Sequence, residues 1–226
     1  MANKALVYAI YPNEKQNIQC LKTFGCCRFV YNHMLSLQQD RYKNGEKHLN
    51  KKNANNYCNQ QFKKDYPFLK EVDKFALTNA IYHLEDGYDR FFKHLSKFPK
   101  FKSKHKAKKS YTTNFTNGNI GIGENFVKLP KLGVVKAKIH RKPEAGWKIK
   151  SATVTQNRDG CYQVSVLFAF EKTIPNAAAT EATTVGLDYK SDGLYVSSNG
   201  ETCGMPHYFR QSAGKLAKAQ RKLKHK

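Results

Sequence analysis

Residues 3–14 read Asn3-Lys4-Ala5-Leu6-Val7-Tyr8-Ala9-Ile10-Tyr11-Pro12-Asn13-Glu14, and the reading of this stretch decides the fold. Its apolar centre looks superficially like a short secretory leader. The run ends at Tyr11-Pro12 without a small-residue cleavage site, so a first β-strand is the better reading and the chain is expected to be intracellular. Pro12-Asn13-Glu14 then punctuates the strand and opens a helix. From Lys15 onward Ile18, Leu21, Phe24, Cys27, Tyr31, Met34 and Leu35 recur at three- and four-residue steps, which predicts a helix with one buried face.

Lys43-Asn44-Gly45-Glu46 breaks that helix. Residues 47–56 are polar and Asn-rich, a loop or a weak helix start, and Tyr57–Tyr66 reads as a short helix that stops before Pro67. Asp73 looks like the N-cap of a second long helix, with Phe75, Leu77, Ile81, Leu84, Tyr88, Phe91, Phe92 and Leu95 as its buried stripe and its end at Phe98-Pro99. From Tyr111 the texture changes to short alternating runs separated by Gly, Asn and Pro. Asn119–Gly123, Phe126–Leu129, Val134–Ile139, Ile149–Gln156 and Tyr162–Phe170 read as five strands, with Arg158-Asp159-Gly160 as a hairpin turn. A small antiparallel barrel or sandwich fits, and the strand at 3–11 can complete it. Trp147, after a Gly at a strand start, is expected to plug that barrel. Pro175–Thr183 reads as an interdomain linker.

The strongest compositional fact is charge. Lys and Arg total 40 of 226 residues against 17 acids, a net +23. That excess is far beyond what solubility needs and points to phosphates as the partner. Hydrophobic residues at 40% and aromatic residues at 12% are enough for real cores. No apolar run approaches membrane-spanning length, and no basic amphipathic helix lies beside a long apolar face, so no membrane partner is expected. The six cysteines, Cys20, Cys26, Cys27, Cys58, Cys161 and Cys203, form no Cys-x-x-Cys pair and are read as reduced, mostly buried thiols.

The run Lys97-Phe98-Pro99-Lys100-Phe101-Lys102-Ser103-Lys104-His105-Lys106-Ala107-Lys108-Lys109 carries no acid. A charge run is usually a solvated linker, but a solubilising linker has no need of Phe98 and Phe101. Lys100, Lys102, Lys104, Lys106, Lys108 and Lys109 are therefore the expected phosphate contacts, individually interchangeable. Near the end, Thr184-Val185-Gly186-Leu187-Asp188-Tyr189 and Leu194-Tyr195-Val196 read as two short strands, the first with a central aspartate.

Four segments, in this order, resemble the TnpB (OrfB-type) family encoded by insertion sequences, the ancestors of type V CRISPR effectors. They are Tyr11–Gln16 with Phe24–Asn32, Phe98–Lys104, Lys128-Leu129-Pro130-Lys131-Leu132-Gly133 running to His140-Arg141, and Val185-Gly186-Leu187-Asp188. The resemblance implies an α+β architecture. An oligonucleotide-binding-like wedge β-barrel would comprise residues 1–12 and 110–174, and a helical recognition lobe with its basic connector residues 13–109. A linker at 175–183 would lead to the start of a ribonuclease H-like (RuvC-type) nuclease at 184–226. It implies guide RNA and target DNA as partners, with no small-molecule substrate. Base pairing would read the target while the protein holds duplex geometry. It also places Arg28 and Asn32 near nucleic acid, with Arg141 and His140 as weaker candidates, and leaves Tyr31 to packing. The expected location is the cytoplasm, at the nucleoid in a prokaryote.

The resemblance makes Asp188 the family's first catalytic and Mg²⁺-binding position. Family members often have Gly two positions later, where this chain has Lys190. The family's later catalytic Glu and Asp and its four-cysteine zinc insert have no counterpart. Two-metal hydrolysis needs several carboxylates, and Mg²⁺ binds weakly to one, so Asp188 is expected to bind Mg²⁺ poorly here unless the missing carboxylates are supplied. Asp192 and Glu201 are read as solvated turn residues. The chain is thus expected to bind nucleic acid and not to cleave DNA by itself. Its last forty or so residues are expected to pack poorly. The alternatives are a nuclease-less regulator of a mobile element and a helical DNA-binding accessory transposase.

Overall fold

The structure is a computed structural model that describes residues 2–171, 180, 183–190 and 193–224. The chain divides into two compact units, residues 1–173 and 174–226.

The first unit is a seven-stranded antiparallel sheet joined to a helical block. β1 (Ala2–Tyr11) is followed by α1 (Glu14–Lys43), α2 (Lys51–Tyr57), a π-turn at Cys58–Phe62, α3 (Lys63–Asp65), a 3-10 turn at Pro67–Lys70 and α4 (Lys74–Phe92). The strands β2 (Lys109–Asn114), β3 (Gly121–Ile122), β4 (Phe126–Leu129), β5 (Gly133–Lys138), β6 (Lys148–Gln156) and β7 (Tyr162–Phe170) follow. Their order across the sheet is β2-β6-β7-β1-β5-β4-β3, so the first strand in sequence is the middle one in space. β1 pairs along nearly its whole length with β7, from Ala2 opposite Phe170 to Ile10 opposite Tyr162. Its C-terminal end also pairs with β5, Ala9 to Tyr11 opposite Lys138 to Lys136. Two-residue alternation sends Leu6, Tyr8 and Ile10 into the core and leaves Val7 on the outer face. The β6–β7 hairpin turns through Gly160 at φ +87, a left-handed backbone that glycine adopts without penalty.

The helices begin where local chemistry dictates. Asn13 and Gln16 form a capping box, each side chain bonding the other's backbone N–H. Gln16 Nε2 also donates to the carbonyls of Leu132 and Val134, tying the start of α1 to the β4–β5 turn. Asp73 caps α4 by accepting from the Ala76 N–H. Phe24, Val30, Met34 and Leu35 of α1 and Leu77, Ile81, Leu84 and Tyr88 of α4 join the sheet residues in one continuous core. Phe24 spans the two parts, its ring lying 5.7 Å from Tyr111 and stacked 6.5 Å from Tyr162.

Several sequence expectations are corrected. Ile18 and Leu21 are 50% and 42% exposed, and Cys20, Thr23 and Val30 take the buried face. The helix before Pro67 starts at Lys51, capped by Asn50. α4 stops at Phe92, leaving Phe92 and Leu95 exposed. The cause is a Schellman closure: Leu95 N–H bonds the Arg90 carbonyl and His94 N–H that of Phe91, with His94 at φ +56. Histidine rarely takes that backbone, so the stop is invisible in sequence. The strand β2 was not expected at all. It pairs with β6 from Lys109 opposite Gln156 to Asn114 opposite Ser151.

The second unit contains β8 (Leu187–Tyr189), β9 (Tyr195–Ser197) and β10 (Thr202–Cys203) in the order β10-β9-β8, and then α5 (Tyr208–Lys224). Leu187, Tyr189, Tyr208, Phe209 and Leu223 are all more than half exposed. The linker expected at 175–183 lies largely outside the described residues, as does Asp192.

The burial pattern separates two substitutions. Ile10→Ala should cost about 3 kcal/mol in urea unfolding, because it empties a buried site. Leu21→Ala, at a position that the helical period marks as buried but that is exposed, should change stability by less than about 0.5 kcal/mol. Similar costs for the two would contradict this placement of the core.

Candidate nucleic-acid interface

The basic run is not a slack linker. Phe98 packs edge-on against Tyr88 and Phe91 of α4, at 5.5 and 5.2 Å. Pro99 is buried and lies against Gly87, where an added Cβ would sit 3.4 Å from the proline ring. Three residues on, the Lys102 backbone is held by Asn32 of α1, whose amide donates to the Lys102 carbonyl at 3.0 Å and accepts its N–H at 2.8 Å. Ser103 then closes a turn, its hydroxyl accepting the N–H groups of His105 and Lys106 and its carbonyl that of Ala107. At Lys109 the run enters the sheet as β2, which Asn79 of α4 holds through the Thr112 carbonyl.

Between this strap, α1, α4 and β2 lies a cleft of about 310 Å³. Its floor is apolar, with Phe24, Cys27, Ala76, Ala80 and Tyr111. Its rim is cationic, with Arg28, Lys102, Lys104, Lys108, Lys109 and His83. No carboxylate lines it, and none of the rim's Lys or Arg side chains forms an ion pair among the described residues. Lys109 donates to Gln156 Oε1.

The electrostatics agree with the geometry. Burial lowers the Lys102 ammonium from the ordinary lysine value. His83 is also lowered, by burial first and by the Lys102 charge second. Burial and the neighbouring Cys26 push the Cys27 thiol far up, so it is inert. Lys102 Nζ sits 3.8 Å above the Tyr31 ring, a cation–π contact that places the charge over a helix face.

Of the residues singled out in the sequence, Arg28, Lys102, Lys104, Lys108 and Lys109 come together. Lys100 and Lys106 are exposed outside the cleft lining. Asn32 reaches the same region, but its amide is engaged by the Lys102 backbone. Arg141 is exposed after β5, where its carbonyl accepts the Tyr8 hydroxyl at 2.8 Å. Trp147 is half-buried at one end of the sheet, stacked on Phe170 at 4.6 Å with the Lys4 ammonium near its ring. His83 was missed, since an isolated histidine in a helix carries no sequence signal.

Asp188 belongs to the second unit. It is exposed on β8, opposite Val196. Among the described residues no three His, Cys, Asp or Glu side chains converge on a point that could hold a metal ion. One exposed carboxylate does not fit a Mg²⁺ pair. α5 adds a separate basic surface with Arg210, Lys215, Lys218, Arg221 and Lys222. No described helix is long and apolar enough to cross a membrane.

These features define an α+β chain with an acid-free cationic cleft, and the comparisons narrow that class. The model of the OrfB/IS605 helix-turn-helix domain matches residues 1–47, where the structure has one strand and the long helix α1. A Streptomyces pristinaespiralis protein provisionally named an RNA-guided DNA endonuclease is 33% identical over 230 residues, covering 99% of this chain and 55% of the relative. The provisionally named RNA-guided DNA endonuclease InsQ of Escherichia coli K12 is 26% identical over 225 residues, covering 99% of this chain and 54% of the relative. The chain spans about half the length of these curated relatives. A chain of a solved Cas12f1–sgRNA–target DNA complex aligns with 99% of this chain and 62% of its own length at 11% identity, with a TM-score of 0.40. The domain match and these relatives support the TnpB, or OrfB-type, family for this chain.

The lowered His83 gives a pH signature. The folded state binds fewer protons than the unfolded one once the pH falls below the ordinary histidine value near 6.5, so stability is lost as the pH drops through that value. Phosphates in the cleft would favour the imidazolium. A proton NMR titration should therefore place His83 below its ordinary value in the free chain and higher with a DNA duplex bound. An unmoved titration would show that the duplex stays clear of the cleft.

Proposed function

We propose that this chain is a nucleic-acid-binding portion of a TnpB-type RNA-guided DNA endonuclease system, using the cationic cleft to hold phosphate backbone. The observation that carries the reading is the cleft itself. Five Lys and Arg side chains line it with no carboxylate beside them, and such a surface lowers its self-repulsion by taking up polyanion. The relatives' names supply guide RNA and DNA as the partners. In this reading the seven-stranded sheet serves as the wedge domain, α1 to α4 as the recognition lobe and β8 to β10 as the opening of a RuvC-like fold.

Cleavage is not part of the proposed activity of this chain alone. In the family reading, Mg²⁺ supplies the charge that activates water and stabilises the leaving oxygen. Of that donor set the described residues offer Asp188.

Two measurements test the reading. Replacing Arg28, Lys104 and Lys108 together with Gln should lower the slope of log affinity against log salt by about 0.9 for each duplex phosphate that is no longer neutralised. An unchanged slope would return the cleft to an ordinary solvated surface. Incubation of the chain with supercoiled plasmid and Mg²⁺ should give no nicking. Nicking that disappears in Asp188→Ala would overturn the assignment of a binding role alone.

A further inference from the structure

We propose that Asn32 is a positioning residue: by clamping both backbone polar groups of Lys102, it fixes the lysine strap as one wall of the cleft. The inference rests on the nucleic-acid reading of that cleft. Asn32 falls within a motif that the sequence suggests for direct contact, yet its side chain makes a different connection. Both halves of the amide are spent on the backbone of one residue seventy positions away. An amide that accepts from and donates to the same residue holds the two peptide groups on either side of its Cα, and so fixes both the position and the orientation of the backbone there. The next helical residue back, Tyr31, completes the grip by receiving the Lys102 ammonium on its ring face at 3.8 Å.

The placement matters because of what flanks Lys102. Upstream, Phe98 and Pro99 are pinned to α4. Downstream, Lys104 and Lys108 project from a turn that begins at Ser103, the residue following the clamp. Without the Asn32 contact, the strap between Pro99 and β2 is tied by little besides its own turn and the Lys102–Tyr31 contact. Its charges would spread over many positions, and each would have to be ordered again on binding. The strap lysines are consequently not interchangeable. Lys102 is committed to α1, which leaves Lys104 and Lys108 to face a ligand with Arg28.

The test compares the whole chain with Asn32→Ala, using a fluorescein-labelled DNA duplex as the probe. Alanine suits a half-buried helical position, and circular dichroism confirms the fold. Asn32→Ala removes no charge, so a merely structural role predicts an unchanged salt slope. The positioning role predicts a slope lower by about 2, the equivalent of two phosphates released from the strap. It also predicts trypsin cutting within 100–109 about tenfold faster, as expected when two backbone hydrogen bonds of a surface segment are broken. Leu21→Ala, exposed on the same helix and outside the cleft lining, should match the parent chain in both readouts. Should Asn32→Ala not fold, Lys102→Pro deletes the clamped N–H from the strap side and should lower the slope by more than the ~0.9 of its own charge.

The Gln triple variant of Arg28, Lys104 and Lys108 separates the two claims. A triple variant with a reduced slope beside Asn32→Ala at the parental slope overturns the positioning role and leaves the cleft reading intact. A parental slope in the triple variant overturns the cleft reading itself.

Discussion

The first unit depends on one strand finding partners on both sides. β1 precedes every helix of this unit in the chain, yet its ladder with β7 closes a separation of more than 150 residues, and its end pairs with β5. Buried on one face by Leu6, Tyr8 and Ile10, it joins the β6–β7 hairpin to the β3–β5 meander in a single sheet. All four helices lie in the chain between β1 and β2, so this pairing brings both ends of the helical block back to the sheet. The capping box of α1 is bonded to the β4–β5 turn, and Asn79 of α4 is bonded to β2. Long-range pairing of this kind is slow to form and is rewarded only when complete. The sheet and the helices share one core for that reason.

The cationic cleft follows from this arrangement. A chain leaving α4 at the Schellman closure must return to the sheet edge as β2, and the connecting residues cross α1 and α4 on the way. Evenly distributed lysines there would repel each other and stay solvated. Here Phe98, Pro99 and the Asn32 clamp hold them down, at the cost of burying part of the Lys102 charge and crowding His83. Fixed positive charge without counter-charge is unfavourable in the free chain and favourable against phosphate. The strain is modest because Tyr31 offers its ring to that partly buried ammonium.

Much of this was legible in residue patterns. Strand alternation located β1, β4 and β7 within a residue, and the Asp73 cap was readable because a short polar side chain before an apolar period has one common use. What escaped was set by distant partners. β2 looks polar and basic from its own residues, and it is a strand only because β6 and Asn79 satisfy its backbone. The end of α4 rests on a positive-φ histidine. Asn32 sat in a recognisable motif, but its role depends on a peptide seventy positions away. Its residue type alone fits a ligand contact equally well. Asp188 shows the opposite case: its short motif singles it out in the sequence, and the structure places it exposed on β8 opposite Val196.

Hydrogen–deuterium exchange of the whole chain, with and without saturating duplex DNA, tests the central claim most directly, because it reads where the ligand lies without altering a residue. A cleft built from the strap and α1 predicts slowed exchange at residues 100–112 and around Arg28, with the far end of the sheet near Trp147 unchanged. Protection confined to α5, with residues 100–112 exchanging as in the free chain, would contradict it.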